Sequence, residues 1–300
     1  METLIVPRAN PEAEPIGLCF LPFTILRVRA LTRAVANESA ISALPSRFRL
    51  SGRVAVVIGG TSGLGRAIAV GLAEHGADVV ASGRKREKVC ETNRMIEEFG
   101  SRTICQTVDV NSRSSIDGLR DATLGEFGGV DILVNAAGLT QRAPTVEFSE
   151  ADWESLLDTN LNGVLRACQS FYPALKASGH GRVINIASLG SFLAFHEVAG
   201  YCASKAAVLS LTRSLGCEWA RDGICVNAIA PGVFPTELND ELLEGTERAR
   251  EILTRTPMHR FGRPEEVVGA AVLLASDAAS FMTGQCIAVD GGYLASGVNS

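Results

Sequence analysis

The sequence predicts a doubly wound α/β fold, a seven-stranded parallel sheet with helices on both faces. Two patterns carry this expectation. From Arg49 onward, short β-branched runs alternate with longer amphipathic stretches, as repeated strand-helix-strand units require. The first run then passes into a glycine-rich turn that opens a helix, which is where parallel sheets bind nucleotides. With 300 residues, 46% of them hydrophobic, the chain can bury a large core. No internal repeat, low-complexity stretch or linker follows residue 50, so residues 49–300 are expected to fold as a single domain.

In chain order, the candidate strands are 54–58, 79–82, 104–108, 132–135, 183–187, 224–229 and 287–289. Between them, Leu64, Ile68 and Leu72 recur every four residues and mark one buried helix stripe. Val267, Ala271 and Leu274 mark another. Residues 1–48 differ. They read as a poorly ordered N-terminal extension with Pro7, Pro11 and Pro15, an apolar stretch over 16–26, then Arg27, Arg29 and Arg33. The apolar stretch is too short to span a bilayer, and Glu2, Glu12 and Glu14 stand where a secretory signal needs basic residues. The alternative is a basic amphipathic helix over 22–36, lying on a membrane or a partner subunit.

Charge and reactive side chains narrow the function. The net charge of −5 comes from 33 acidic and 28 basic residues with no one-sided basic stripe, which excludes a nucleic-acid binder. His75, His180, His196 and His259 are scattered, and no two of the eight cysteines have the two-residue spacing of a zinc or redox site. No metal site is expected. The cysteines read mostly as small core hydrophobes in a reducing cytosol, and a cytoplasmic location follows.

The turn Gly59-Gly60-Thr61-Ser62-Gly63-Leu64-Gly65 connects the first strand to the Leu64 stripe. Glycines let backbone approach a pyrophosphate, which the free amides and positive end of the helix can hold. At the end of the second strand, where an acid would accept the ribose hydroxyls of NAD, the chain has Ser82-Gly83-Arg84-Lys85. Arg84 can pair bidentately with a 2′-phosphate and Lys85 can add a point charge, so NADP(H) is expected over NAD(H). The other reading is that the two cations start a solvated helix.

Tyr201 and Lys205 stand four apart at the start of a predicted long helix, 203–219, and so share a face. Ser188 follows a strand at its carboxyl end, where open parallel sheets place ligands. Taken alone, Ser188 could be a turn residue and Asn160, within Asp158-Thr159-Asn160-Leu161-Asn162-Gly163, a helix-bending core amide.

The glycine spacing, with Ile58 in place of the usual threonine, and the ordered set Asn160, Ser188, Tyr201 and Lys205 resemble the short-chain dehydrogenase/reductase family over residues 50–299. The resemblance implies a Rossmann-type domain and a catalytic tetrad. Tyr201 is then the proton donor, Lys205 shifts it toward the phenolate and holds the nicotinamide ribose, Ser188 binds the substrate oxygen, and Asn160 positions a relay water. It assigns Gly59, Thr61, Ser62, Gly63, Leu64 and Gly65 to the pyrophosphate and Asp109 and Val110 to the adenine. Asn135, Ala136, Ala137 and Gly138 go to the middle of the cofactor, and Pro231, Gly232, Val233 and Thr236 to the nicotinamide. Asp109 could equally start a helix, and Asn135 could tie strands together. Loss of the threonine hydroxyl at Ile58 implies a less rigid turn.

Three stretches, 138–144, 256–266 and 290–299, are similar to the gluconate 5-dehydrogenase subgroup, which interconverts a sugar acid and its keto form. Arg142 could clamp a carboxylate or pair with Glu147 or Glu150. Gln141, Phe192, Leu193 and His196 are further pocket candidates beside Ser188 and Tyr201. A 3-oxoacyl-[acyl-carrier-protein] reductase is the alternative enzyme, and a non-catalytic nucleotide sensor the alternative of another class. The resemblance also implies a homo-oligomer, a dimer or homotetramer, and the apolar run Ala206, Leu209, Leu211 and Leu215 fits either pairing or packing on the sheet.

Overall fold

Residues 45–236 and 245–298 are described by the computed structural model. The reading of residues 1–44, including the helix expected over 22–36, lies outside the described residues. Six strands form one parallel sheet: β1 (Val54–Ile58), β2 (Asp78–Ser82), β3 (Ile132–Asn135), β4 (Arg182–Ile186), β5 (Cys225–Pro231) and β6 (Cys286–Val289). Their order is β2-β1-β3-β4-β5-β6. The chain steps outward from β1 to β2, then returns to β3 and builds the other way. Val56 accordingly pairs with Val80 on one side and Leu133 on the other. Connections leaving β1 and β3 diverge, which opens a crevice at their carboxyl ends.

Helices cover both faces: α1 (Gly63–Glu74), α2 (Arg86–Glu97), α3 (Arg113–Phe127), α4 (Glu150–Leu157), α5 (Gly163–Ala177), α6 (Ala199–Glu218), α7 (Glu247–Arg255) and α8 (Val268–Ala275). Alternate residues of β1 feed two core layers, as the two-residue period of a strand demands. Ala55 and Val57 pack with Ile68, Leu72 and Leu274, while Val56 and Ile58 pack with Ile116, Leu119, Phe171 and Val208. Both stripes anticipated from sequence are therefore core faces. A π-helical turn, Asp158–Asn162, joins α4 to α5 without a break in the helix.

Two expectations need correction. The seventh strand does not form. Segment 104–108 runs beside β2, but the backbone bonds that fasten the region join Arg102 O to Val79 N and Val108 N to Gly83 O, and the ladder between them is missing. Instead, Gln106 O accepts the Ser82 hydroxyl, and Gln106 N turns back to Ile104 O. A β-branched run is thus held at its ends without continuous pairing. The cysteines, too, are mostly not core residues: of those described, only Cys168 is buried, Cys217 is exposed and the rest are half-buried.

Candidate active site

The crevice between β1 and β3 holds a cleft of about 320 Å³ that extends from the glycine turn to Tyr201. Its floor follows from what glycine lacks. A Cβ on Gly59 would meet the backbone of Ala137, and one on Gly65 would meet the Gly59 carbonyl. Gly59 also has φ +84, which L side chains rarely adopt. Ser62, the N-cap of α1, makes no side-chain cap bond, so the first amides of the helix are left to a ligand. The missing threonine hydroxyl at Ile58 has a substitute. Arg66, one turn into α1, donates from Nε at 3.1 Å and from Nη2 at 2.6 Å to the Thr61 carbonyl, and pairs with Glu91 on α2 at 3.1 Å. The turn is pinned from a position that no motif marks.

At the other end of the cleft, Ser188 lies two residues beyond β4 and caps a short 3-10 turn, accepting from Gly190 N at 3.1 Å. Ser191 fixes it in place by accepting from Ser188 N and donating to the Lys205 carbonyl at 2.8 Å. Tyr201 and Lys205 lie in the first two turns of α6, on one face. Burial raises the Tyr201 pKa above the ordinary phenol value, and a hydrogen bond with Ser188 offsets part of that rise. Burial also lowers the Lys205 pKa to about 8, and its Nζ donates to the Ile186 carbonyl at 2.7 Å. The expected downward shift of Tyr201 by Lys205 is not found. The ammonium is turned toward Ile186 and stands 5.8 Å from the Tyr201 ring centroid, while burial acts on the whole phenol. Tyr201 therefore starts as a protonated acid.

Asn160 is fully buried in the π-turn. Its Oδ1 accepts from Leu139 N at 2.9 Å, and its Nδ2 donates to Leu139 O at 2.9 Å and Ser204 Oγ at 3.0 Å. One amide thus joins the loop after β3 to the helix bearing Tyr201.

The structure brings together most residues expected at the cofactor. Thr61, Ser62, Gly63, Leu64, Arg84, Asp109, Val110, Ala136, Ala137, Gly138, Pro231, Gly232 and Thr236 all line the cleft. Three do not. Asn135 donates to Asn185 Oδ1 at 2.9 Å and so ties β3 to β4, and Val233 faces a neighbouring cavity. Lys85 is exposed as the N-cap of α2, with no ion pair among the described residues. Arg84 is likewise exposed, on the rim of the cleft, and is without an ion pair among them. The side chain of Asp109 also accepts from Asn111 N in the turn before α3, but Ser112 is the residue that caps that helix, its side chain accepting from Ser115 N.

The pocket candidates fare worse, because Arg142, Phe192 and His196 do not line the cleft. Arg142 pairs with Glu197 at 2.6 Å, not with Glu147 or Glu150, and so clasps the loop after β3 to the loop after β4. Phe192 and His196 point to solvent, while Leu193 joins a small satellite core with Leu189, Ile252 and Tyr293. Sequence reasoning missed Thr159, Leu139 and Phe234, which line the cleft, and the positioning residues Arg66, Ser191 and Ser204. Gly83 carried a signal: a Cβ there would lie 2.6 Å from the Thr61 hydroxyl.

Spacing alone would have misled. Tyr172 and Lys176 on α5 repeat the four-residue step, yet Tyr172 and Lys176 bind Asp222 at 2.7 Å each, far from the cleft. Only the second pair meets a serine at a strand end.

These geometries accord with comparisons to known proteins. Residues 59–294 match a family model described as enoyl-(acyl carrier protein) reductase. The 2-dehydro-3-deoxy-D-gluconate 5-dehydrogenase of Dickeya dadantii is 42% identical over 249 residues, covering 83% of this chain and 98% of that one. A crystal structure of a gluconate 5-dehydrogenase from Burkholderia cenocepacia, in complex with NADP and tartrate, superposes with a TM-score of 0.81 at 40% identity. It covers 84% of this chain and 99% of that one. A short-chain type dehydrogenase/reductase from Mycobacterium marinum gives 0.78 at 34% identity, covering 83% and 98%. The chain therefore belongs to the short-chain dehydrogenase/reductase family, as an NAD(P)-dependent oxidoreductase acting on CH–OH groups.

Proposed function

We propose that this enzyme interconverts a secondary alcohol of a sugar acid and the corresponding ketone, with NADP(H) in preference to NAD(H). The observation that carries the reaction is the set of half-buried Ser188 and Tyr201, hydrogen-bonded to each other, and buried Lys205, braced to Ser188 through Ser191, at one end of a cleft whose other end is a glycine-rich anion cradle. NADP(H), when bound, supplies or accepts the hydride. Ser188 holds the substrate oxygen, and Tyr201, kept protonated by burial, delivers the proton as negative charge develops there. Lys205 holds the ribose, and Asn160 keeps the loop at Leu139 in register with α6 while positioning a relay water.

For cofactor choice the support is Arg84, a cation on the cleft rim with no carboxylate partner among the described residues, where a 2′-phosphate would be met. Lys85 adds charge beside it. For the substrate, support comes from the two sugar-acid dehydrogenases to which the chain is similar. The carrier-protein reading needs a basic patch, and it is disfavoured because Arg142, on the loop after β3, is already paired with Glu197. A nucleotide sensor needs no intact tetrad. We further propose a cytoplasmic homo-oligomer, a dimer or tetramer, with residues 1–48 as an extension outside the catalytic domain. On α6, Leu209 and Leu215 are buried in the core and Leu211 packs against it, while Ala206 is exposed, so packing on the sheet accounts for the leucines of the apolar run and not for Ala206. Among the described residues, no helix is long and apolar enough to cross a membrane.

The deciding experiment is a panel of gluconate, 5-ketogluconate, 2-dehydro-3-deoxygluconate, neutral polyols and acetoacetyl thioesters, each with both cofactors. Turnover of a sugar acid with a lower KM for NADP than for NAD is expected. Turnover of thioesters alone overturns the substrate assignment, and an Arg84→Ala enzyme that keeps its NADP preference overturns the cofactor assignment.

A further inference from the structure

Beneath the turn that carries Arg84, two half-buried cysteines meet. Cys90 lies in the second turn of α2 and Cys105 in the extended segment before Val108, 15 residues away in sequence, with their sulfurs 2.6 Å apart. The contact is firmly framed. Arg102 O is bonded to Val79 N, Gln106 O to the Ser82 hydroxyl and Val108 N to Gly83 O, so the segment is fastened to β2 on both sides of Cys105. On the other side, α2 is anchored by the buried Val89, Thr92 and Ile96. Neither sulfur has to travel, since an S–S bond of about 2.05 Å needs a closure of only about half an ångström. The hydrogen bond with Cys90 and burial raise the Cys105 pKa, and Arg86, one turn before Cys90, opposes them. Among the described residues, no other cysteine has a sulfur partner. Neither thiol lines the cleft.

We propose that Cys90 and Cys105 form a site of reversible oxidation, closing to an intramolecular disulfide by exchange with a low-molecular-weight disulfide. In the first step one cysteine, as its thiolate, attacks a sulfur of the small disulfide. A mixed disulfide forms, the small S–S bond breaks and one small thiolate leaves. The second cysteine then attacks the protein sulfur of that mixed bond, forming the Cys90–Cys105 bond and expelling the second small thiolate. Two protein thiols are oxidised, one small disulfide is reduced to two thiols, and the cysteine protons end on those leaving groups. Because the link closes a short loop between two elements already in contact, it stabilises the fold by constraining the unfolded chain.

The test uses full-length enzyme incubated with glutathione disulfide and digested without reduction. Mass spectrometry is expected to find the Cys90 and Cys105 peptides joined and lighter by two hydrogens. Thiol titration should lose two groups, which dithiothreitol restores, and Tm should rise by several degrees. Turnover at saturating substrates should stay within about twofold, since the tetrad lies elsewhere. Cys90→Ser and Cys105→Ser should each abolish the link. Stable glutathione adducts on Cys90 or Cys105 in place of the internal bond would overturn the proposal, as would modification of exposed Cys217 while the pair stays reduced. Both outcomes are read on the wild-type protein, so they stand even where a variant misfolds. Failure here leaves the assignment of substrate and cofactor untouched.

Discussion

Lys205→Met tests whether the lysine is held as an uncomfortable buried cation. Its side chain is 6% exposed, and burial moves its pKa from 10.5 to about 8. At about 1.4 kcal/mol per tenfold, the folded state bears a cost of about 3 kcal/mol while the amine is charged. The sign follows from linkage. Between pH 8 and 10.5 the unfolded chain binds more protons than the folded one, so stability rises with pH across that window and the contribution is lost as pH falls through 8. Methionine carries no such titration. Breaking the bond to the Ile186 carbonyl gives an offset common to all pH values, which cancels when the two proteins are compared at two pH values. Urea unfolding at pH 7 and pH 10 should therefore show the wild type gaining about 2–3 kcal/mol relative to Lys205→Met. A gap that changes by less than about 0.5 kcal/mol would refute a depressed lysine.

Three further outcomes are expected. Tyr201→Phe removes the phenol hydroxyl that is hydrogen-bonded with Ser188 and should lower kcat by about 10²–10⁴-fold with little change in stability, read by steady-state kinetics and thermal melting. In the wild type, alcohol oxidation should accelerate as pH rises toward and beyond 10, because burial holds the Tyr201 pKa above its ordinary value; a flat profile above pH 8 would contradict this. Asn160→Ala removes three hydrogen bonds and leaves both backbone groups of Leu139 without them, costing about 3 kcal/mol and lowering Tm by about 6–12 °C in a calorimeter. Arg66→Ala should raise the dinucleotide KM several-fold and leave kcat within about twofold, since it frees the Thr61 carbonyl but touches nothing near Tyr201.

What could be read from the sequence divides by the range of the interaction involved. Strand positions, the glycine turn and the helix bearing Tyr201 depend on local spacing, and their ends agree with the structure to within a few residues. The seventh strand failed because β-branched composition reports a tendency to extend, whereas a ladder also needs a partner backbone in register, which 104–108 has only near its ends. Long-range pairs were beyond reach. Arg142 has acids five and eight residues away in sequence, yet it pairs across 55 residues with Glu197. Tyr172 and Lys176 show the converse, since an identical spacing becomes a surface network when Asp222 is its neighbour. Arg66, Ser191 and Ser204 are ordinary polar helix or turn residues in the sequence, and only the fold shows which carbonyl or hydroxyl each one holds.

The π-turn at Asp158–Asn162 has a consequence for how this chain tolerates change. A π-turn amounts to one residue more than a regular helix needs, and each helical residue advances the face by about 100°. Trimming a single residue there would relax the segment into an ordinary helix and leave α4, α5 and the sheet beneath them able to pack. The lost residue would instead rotate Asn160 by roughly a quarter turn relative to one of its flanks, taking its amide off Leu139 and Ser204. Within this helix, length and catalytic register are therefore separate properties, and a chain one residue shorter could keep its architecture while losing the alignment that makes it an enzyme.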